Sequence, residues 1–349
     1  MRYLNLLLVC APAAIVGRFL GWSPTWLFIL SALAVIPAAG LLGQATEELA
    51  SHTSPRAGGL LNATLGNAAE LIITVFAIRA GLLELVKASI TGSILGNVLL
   101  VMGLSVFVGG LKNGEQTFDA RHAGVNATQL ILALLALVIP SLFFFAHTES
   151  EGPVEWLSLG TAVTMLVVYA LGLLFSFRHT SPEPALGQEV HAEHPGMSVG
   201  QALALLVGAT VLIAWLSEIL VAAVEHTVAE LGVSEFFIGI IVVPLVGNVA
   251  EHAVAVQAAW KDRMELSMAV SVGSSLQIAL FVAPVLVFLS LLLGHPLTLV
   301  FNQFEIVALF GGSLIAALVF QDGRSNWLEG VQLLGVYVIL ALAFLFLRP

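Results

Sequence analysis

Charged side chains are scarce in this chain of 349 residues, where they make up 10 % of the sequence, against roughly 25 % in soluble globular proteins. Hydrophobic residues make up 59 % and the mean hydropathy is +1.01, values that exclude a soluble domain. The single cysteine, Cys10, excludes an intrachain disulfide framework. The first apolar run has no convincing cleavage site, so we expect it to be retained.

Several catalytic motifs are also missing. The sequence has no Gly-Lys-Ser/Thr phosphate loop and no His-Glu-x-x-His, which argues against an ATP-driven pump and a zinc protease. Residues 196–200 match Gly-x-Ser-x-Gly, but no strand precedes them and an apolar run follows, so Ser198 is predicted to cap a helix. We therefore predict no enzymatic activity, no cofactor and no nucleic-acid partner.

The chain consists instead of apolar runs of about 20 residues separated by short polar breaks, the pattern of a multi-pass membrane protein. Backbone amides have no water partners in hydrocarbon, so each run is predicted to be a helix. The predicted fold class is all-α, with eleven transmembrane helices. They lie near Leu4–Gly17, Trp26–Leu42, Gly58–Ala80, Ala88–Leu111, Gly124–Ala146, Val154–Phe177, Val199–Ala223, Phe236–Trp260, Leu266–Leu293, Phe304–Phe320 and Trp327–Leu347.

The sequence contains an internal repeat. A shift of 181 residues aligns Gly58–Gly103 with Gly239–Pro284, and 15 of the 46 aligned positions are identical. Sets of five helices, an odd number, start from opposite sides of the membrane, so the repeats are predicted to be inverted. The predicted organisation is an N-terminal transmembrane helix at 1–20, a first five-helix repeat at 21–178, a cytosolic acidic and histidine-containing loop at 179–197, and a second five-helix repeat at 198–349.

The distribution of lysine and arginine predicts the orientation. With eleven helices, eight of the 12 basic residues lie on one face and four on the other, which places the N-terminus in the cytoplasm.

Each repeat carries the motif Gly-Asn-x-x-Glu deep inside an apolar run. An ionised glutamate is expensive in a membrane and is presumed functional, which makes Glu70 and Glu251 the main candidates. Asn67 and Asn248 lie three residues earlier and share a helical face with them. Paired carboxylate and amide oxygens favour Ca²⁺, with Mn²⁺ as a second candidate, over zinc or copper.

Serines follow one helix later in each repeat. Ser93 and Ser274 are predicted to complete the cation's ligands, with Ser275, Asn97 and Gln277 lining the pathway. The alternative is that these residues let the helices pack closely, as small residues do in membranes.

Helix breakers lie close to both motifs. Pro244 is predicted to kink or unwind its helix, and Gly58, Gly59 and Gly66 to loosen the first copy. Loosened turns expose backbone carbonyls that add neutral oxygen ligands to a cation.

Three further residues are candidates for proton movement. Glu47 and Glu218 lie in the first helices of the two five-helix sets and are predicted to relay protons or admit ions, unless they are solvated at the membrane interface. His252 follows Glu251 and either modulates proton affinity near neutral pH or bonds a neighbouring helix.

These motifs resemble a known family. Leu60–Leu71 looks like the first signature of the Ca²⁺/H⁺ exchangers, the CAX family of the Ca²⁺/cation antiporter superfamily. Phe237–His252 resembles the second signature and Ser271–Val282 the stretch that follows it, and the resemblance covers the second to eleventh helices. It implies an eleven-helix fold and Ca²⁺ binding by Glu70 and Glu251, with H⁺ as the counter-ion.

The function predicted from these observations is secondary antiport that exports Ca²⁺ in exchange for H⁺, by alternating access at a midplane two-glutamate site. A Na⁺-coupled Ca²⁺ exchanger and a cation channel are the alternatives, and a homo-oligomer stays open. The central loop has three glutamates diluted by histidines and prolines, so a Ca²⁺-sensing role for it is not predicted. The chain lacks the long N-terminal extension of plant and fungal members, so we expect a prokaryotic plasma membrane.

Overall fold

The computed structural model describes residues 4–146, 151–179 and 196–347, and almost all of them are helical. The first half consists of a 3₁₀ turn at Leu4–Val9 and the helices α1 (Cys10–Phe19), α2 (Pro24–Ser51), α3 (Pro55–Leu65), α4 (Ala68–Arg79), α5 (Leu83–Leu95), α6 (Met102–Asn113), α7 (Ala120–Ala146) and α8 (Glu151–His179). The second half consists of α9 (Val199–Ala222), α10 (Val224–Leu231), α11 (Glu235–Phe237), α12 (Val243–Trp260), α13 (Met264–Gln277), α14 (Ala283–Leu292), α15 (Gln303–Val319) and α16 (Trp327–Phe346).

Eight helical stretches in the described part are long and apolar enough to cross a membrane, which confirms a multi-pass helical membrane protein. They are Pro24–Ser51, Leu83–Asn113, Ala123–Ala146, Gly152–Phe175, Val199–Ala222, Glu235–Trp260, Met264–Leu292 and Trp327–Phe346. Two shorter apolar stretches are Leu4–Phe19 and Gln303–Val319. The acidic and histidine residues of the predicted central loop between 180 and 195 lie outside the described residues.

Three π-helical turns interrupt the long helices. They lie at Gly96–Val101 between α5 and α6, at Ile238–Val242 before α12, and at Ile278–Val282 between α13 and α14. The first and third coincide when the sequence is shifted by 181 residues. Single π turns occur frequently at functional sites, and these two follow the serines of the predicted site.

The first signature lies at a helix break. Helix α3 ends at Leu65 and α4 begins at Ala68, and Asn67 between them has φ −100° and ψ 25°, outside the helical region. The prediction that Gly58 and Gly59 loosen this helix is wrong, because both lie inside the continuous α3.

The second signature has a different backbone. Gly247 lies inside the continuous α12, and Pro244 occupies the first turn of that helix, directly after a π turn. The irregularity predicted near Pro244 is present, but it lies before the proline, because a proline in the first turn displaces no helical hydrogen bond.

The helices that carry the motifs lie in the middle of the molecule. Helix α12 packs against α13, α2 and α6, while α2 and α9, the first long helices of the two halves, pack along each other. Ser198 caps α9 through a capping box with Gln201, as predicted. Two short strands, β1 (Gln116–Thr117) and β2 (Arg324–Ser325), pair antiparallel at one end.

The C-terminal end of α12 is held by side chains from the first half. Lys112 Nζ donates to the carbonyl of Trp260 at 2.9 Å, and its ammonium lies 4.5 Å from the centre of the Trp260 ring. Asn113 Nδ2 and Gln116 Nε2 donate to the carbonyl of Ala259 at 3.1 and 3.0 Å. These donors satisfy carbonyls that a helix end leaves unpaired, and they fix the helix that carries Glu251.

Candidate cation site

Two buried carboxylates form the centre of the candidate site. Glu70, in the first turn of α4, is 3 % exposed, and its Oε1 accepts no hydrogen bond in the described structure. Glu251 Oε2 on α12 is likewise buried and accepts none, and the two carboxylates are close enough to interact electrostatically. A buried acceptor without a donor is costly, so these oxygens are suited to a cation or to protons.

Each glutamate lies against the signature glycine of the other repeat. A Cβ atom built on Gly247 would lie 2.7 Å from Glu70 Oε1, and one built on Gly66 would lie 3.5 Å from Glu251 Oε1. No side chain fits at Gly247 while Glu70 keeps this position. The two Gly-Asn-x-x-Glu motifs therefore meet directly, although about 180 residues separate them.

The neutral groups predicted as ligands form a continuous chain of hydrogen bonds beside the carboxylates. Ser274 Oγ donates to Asn67 Oδ1 at 3.1 Å, and Asn97 Nδ2 donates to Ser274 Oγ at 3.1 Å. Asn67 Nδ2 donates to Gln277 Oε1 at 2.7 Å. Ser274 also interacts with Glu251. The structure thus brings these predicted residues from both halves into one cluster.

The corresponding pair from the other copy is simpler. Asn248 Nδ2 lies 3.5 Å from Ser93 Oγ and donates to the carbonyl of Pro244 at 3.0 Å. Ser275 donates to the carbonyl of Ser271 at 3.1 Å, within its own helix. Asn248 and Ser93 are therefore placed like Asn67 and Ser274, whereas the Ser275 hydroxyl is used by the backbone.

His252 extends the polar chain on one side only. Its Nε2 lies 3.2 Å from Asn97 Oδ1, and because an amide oxygen only accepts, Nε2 is the donor. The residue at the equivalent position of the first copy is Leu71, which cannot do this. The two halves of the site therefore differ in polarity.

The two outlying glutamates are placed differently. Glu47 is exposed on α2, and its charge acts on Glu251. Glu218 has a half-exposed side chain that pairs with Arg18 at 3.1 Å, away from the carboxylate pair. The structure thus brings Glu47 near the site and leaves Glu218 in a surface ion pair, while proton relay by either residue stays a prediction.

Sequence reasoning missed one buried carboxylate, Glu305, which is 1 % exposed. Its Oε1 accepts from Thr91 at 2.9 Å and its Oε2 from the backbone amide of Asn302 at 2.8 Å. The Asn-x-x-Glu spacing of a capping box was the signal that could have found it. Since both oxygens have donors, Glu305 stabilises the start of α15 and contrasts with the carboxylate pair.

Within the described residues no group of three or more His, Cys, Asp or Glu side chains is placed to hold a metal ion. A cation at this site would be held by two carboxylates and by amide, hydroxyl or carbonyl oxygens. Such an all-oxygen set is suited to a hard cation.

Comparisons with known proteins follow this geometry. Residues 23–178 and 201–346 match the sequence profile of a family described as sodium/calcium exchanger protein. A Synechocystis sp. protein described as a Ca²⁺/H⁺ antiporter is 45 % identical over 97 % of this chain and 96 % of its own length. The Bacillus subtilis protein described as Ca²⁺/H⁺ antiporter ChaA is 41 % identical over 99 % of this chain and 100 % of its own. The solved structure of native YfkE matches with a TM-score of 0.87 at 40 % identity, covering 99 % of this chain and 100 % of that chain.

Proposed function

This chain belongs to the family described as sodium/calcium exchanger protein, and we propose that it exchanges Ca²⁺ for H⁺ across a membrane. It is a secondary transporter and not an enzyme. The observation that carries the proposal is the pair of facing carboxylates, each with one buried oxygen that accepts no hydrogen bond. Relatives named Ca²⁺/H⁺ antiporters along nearly the whole chain support the same exchange.

The proposed mechanism uses one site alternately. When Glu70 and Glu251 are ionised, their charges balance one Ca²⁺, and Asn67, Asn248 and nearby hydroxyls supply neutral oxygens. When both are protonated, the pair is neutral and can change access without the metal. Two like charges cannot be buried together without compensation, so the empty ionised pair is the least stable form, and transport of one ion is tied to the other. Charge balance gives about two protons per Ca²⁺.

The membrane layout is proposed on the same basis. We propose eleven transmembrane helices in the order predicted above, with inverted five-helix repeats at 21–178 and 198–349. The two segments that match the family profile, one in each proposed repeat, support this division. The proposed orientation has the N-terminus in the cytoplasm. Mn²⁺ as a second substrate, a homo-oligomer and a prokaryotic plasma membrane stay predictions.

The decisive experiment reports Ca²⁺ and pH together in liposomes that contain the purified protein. An imposed pH gradient should drive Ca²⁺ against its own gradient, and an added Ca²⁺ gradient should move protons the other way. A Na⁺ gradient that drives uptake where the pH gradient fails would establish a Na⁺-coupled exchanger instead. Ca²⁺ flux without any proton counter-flow would establish a channel.

Removing one neutral oxygen should weaken Ca²⁺ binding without disturbing the fold. Ser274→Ala and Asn248→Ala are each expected to raise the Ca²⁺ concentration for half-maximal exchange on the order of tenfold, as loss of a supporting group at metal sites does. Initial rates against Ca²⁺ provide the measurement, and Ser275→Ala, which removes a hydroxyl bonded to the backbone, is the matched control. An unchanged Ca²⁺ dependence in both variants would assign Ser274 and Asn248 to helix packing.

The central loop should be dispensable for transport. Deleting residues 183–193 is expected to leave the initial exchange rate within about twofold of the intact chain, because its few acidic residues are diluted by neutral ones and make a poor Ca²⁺ site. The rate is measured as a function of Ca²⁺ on the cytosolic face. A tenfold change, or the loss of an activation threshold, would mean that the loop regulates exchange.

A further inference from the structure

The two repeats pack one pair of helices differently. In the second repeat the π turn before α12 lies tightly on α5: a Cβ atom on Gly92 would overlap the carbonyl of Ile240, and one on Gly239 would lie 2.8 Å from the Cβ of Ala88. Leu85, Ala88 and Gly92 are buried by this contact, and we call these three residues the α5 contact face. Their spacing places them on one side of the helix.

The same three residue types recur on α13. A shift of 181 residues converts the α5 contact face into Leu266, Ala269 and Gly273, which we call the α13 contact face. Here all three residues are only partly buried, and a Cβ atom on Gly273 would meet no atom within 4 Å. Glycine in the middle of a helix is destabilising relative to alanine. The present packing of α13 therefore gives no reason for a glycine at this position.

The partner that the repeat assigns to the α13 contact face is α3. Gly58 corresponds to Gly239 and Gly59 to Ile240, but Gly58 lies against α2, where a Cβ atom would be 3.0 Å from the carbonyl of Ala50. The other sides of α3 are largely open, and Leu60 is 50 % exposed. Helix α3 thus rests on α2, whereas its counterpart rests on α5.

A hinge lies at the correct place for α3 to move. Helix α3 ends at Leu65 and the chain resumes as α4 at Ala68, with Asn67 in a non-helical conformation. Hinges of this kind are a few residues at element ends that absorb the change in backbone angles. The second copy is continuous through Gly247, so only the first copy is broken beside the carboxylates.

We infer that the α13 contact face is the docking site for α3 in a second conformation, in which Gly58 and Gly59 pack on Gly273 as Gly239 and Ile240 pack on Gly92. The inference rests on the proposed function, since alternating access requires a second conformation. In it, α3 covers the end of the molecule that carries the α12–α13 turn. The contact between the π turn and α5 opens in exchange.

A methyl group at Gly273 tests this directly. Gly273→Ala is expected to keep or raise the melting temperature, because the space is open in the present conformation. Exchange should fall about tenfold or more, because overpacking a close contact costs the second conformation that much. Gly92→Ala should instead lower the melting temperature, since that contact is already made. Gly311→Ala on α15 is the matched control: its surroundings are also open, and its counterpart in the repeat is Leu130.

Since Gly273 precedes Ser274, Ca²⁺ affinity is measured at equilibrium alongside the rate. The inference predicts a lost rate at an affinity within about twofold of the unmodified chain. A loss of affinity that accounts for the lost rate would assign the effect to Ser274 and overturn the inference. Exchange by Gly273→Ala within twofold of the Gly311→Ala control would overturn it as well.

A cross-link gives a readout that does not depend on transport. In a Cys10→Ala background, Gly58→Cys and Ala269→Cys are introduced together, because their counterparts Gly239 and Ala88 lie in direct contact. A disulfide needs Cβ atoms about 3.5–4.5 Å apart. It should form on a gel when Ca²⁺ and pH gradients are varied, arrest exchange, and be reversed by reductant, whereas Gly58→Cys with Gly311→Cys should not cross-link. No Gly58–Ala269 cross-link under any gradient overturns the inference. Absent Ca²⁺/H⁺ exchange in the unmodified chain would refute the proposed function instead, with the cross-link still readable.

Discussion

Glu251→Gln and Glu70→Gln are each expected to reduce Ca²⁺-driven proton movement by at least about a hundredfold, to background. Each change removes one of two buried charges that would balance the metal, and loss of such a charge in a low-dielectric site is worth several kcal/mol. The amide keeps the shape of the side chain, which matters for Glu70 because Gly247 lies directly against it. Proton release on Ca²⁺ addition to proteoliposomes is the measurement.

Glu305→Gln is the matched control for these variants. Glu305 is as deeply buried as Glu70, but both of its oxygens already accept hydrogen bonds, and glutamine also serves in a capping box. Its exchange should stay within a few-fold of the unmodified protein. Melting temperatures of all three variants should remain close to that of the unmodified protein. A Glu70→Gln or Glu251→Gln variant that retains a tenth of the exchange rate would remove that residue from the site.

Acidification on the Ca²⁺-loading side should raise the Ca²⁺ concentration for half-maximal exchange and leave the rate at saturating Ca²⁺ unchanged. Protons and Ca²⁺ compete for the same oxygens of Glu70 and Glu251, and only the deprotonated forms bind metal. At low pH the required Ca²⁺ rises by up to about tenfold per pH unit for each proton displaced. Curves of initial rate against Ca²⁺ at several pH values give the result.

Glu47 decides between a shared and a separate proton path. If protons use the carboxylate pair alone, Glu47→Gln retains the competitive pattern, with at most a modest shift from the loss of its charge near Glu251. If they pass through Glu47, the plateaus at saturating Ca²⁺ differ between pH values in the unmodified protein, and that difference disappears in the variant. Different plateaus that persist in both would contradict the shared site.

Much of the site could be predicted because polar residues are conspicuous in a membrane. Glu70, Glu251, Asn67 and Asn248 stand in apolar runs, and the 181-residue shift pairs them without structural information. Their convergence is a strong expectation, because an unpaired buried carboxylate in each of two distant helices would be costly. The structure confirms that these helices meet.

Other features depend on packing between distant segments. Sequence spacing does not indicate that Ser274 donates to Asn67 of the other repeat, or that Ser275 is used by its own helix. Glu218 looked equivalent to Glu47, yet Arg18 pairs with it at the surface. Such pairings follow from helix rotation and tilt, which polar spacing alone does not specify.

The sequence by itself determined a multi-pass helical membrane protein with a repeated Gly-Asn-x-x-Glu motif, because the cost of placing polar groups in hydrocarbon applies residue by residue and is visible in composition and spacing. Only the tertiary structure decided that the helix is broken at Gly66 and Asn67 but continuous through Gly247 and Asn248. The two copies share the same local preferences and differ in what they pack against, α2 for one and α5 for the other. Two packings of one motif differ by only a few kcal/mol, a difference set by contacts across the whole molecule.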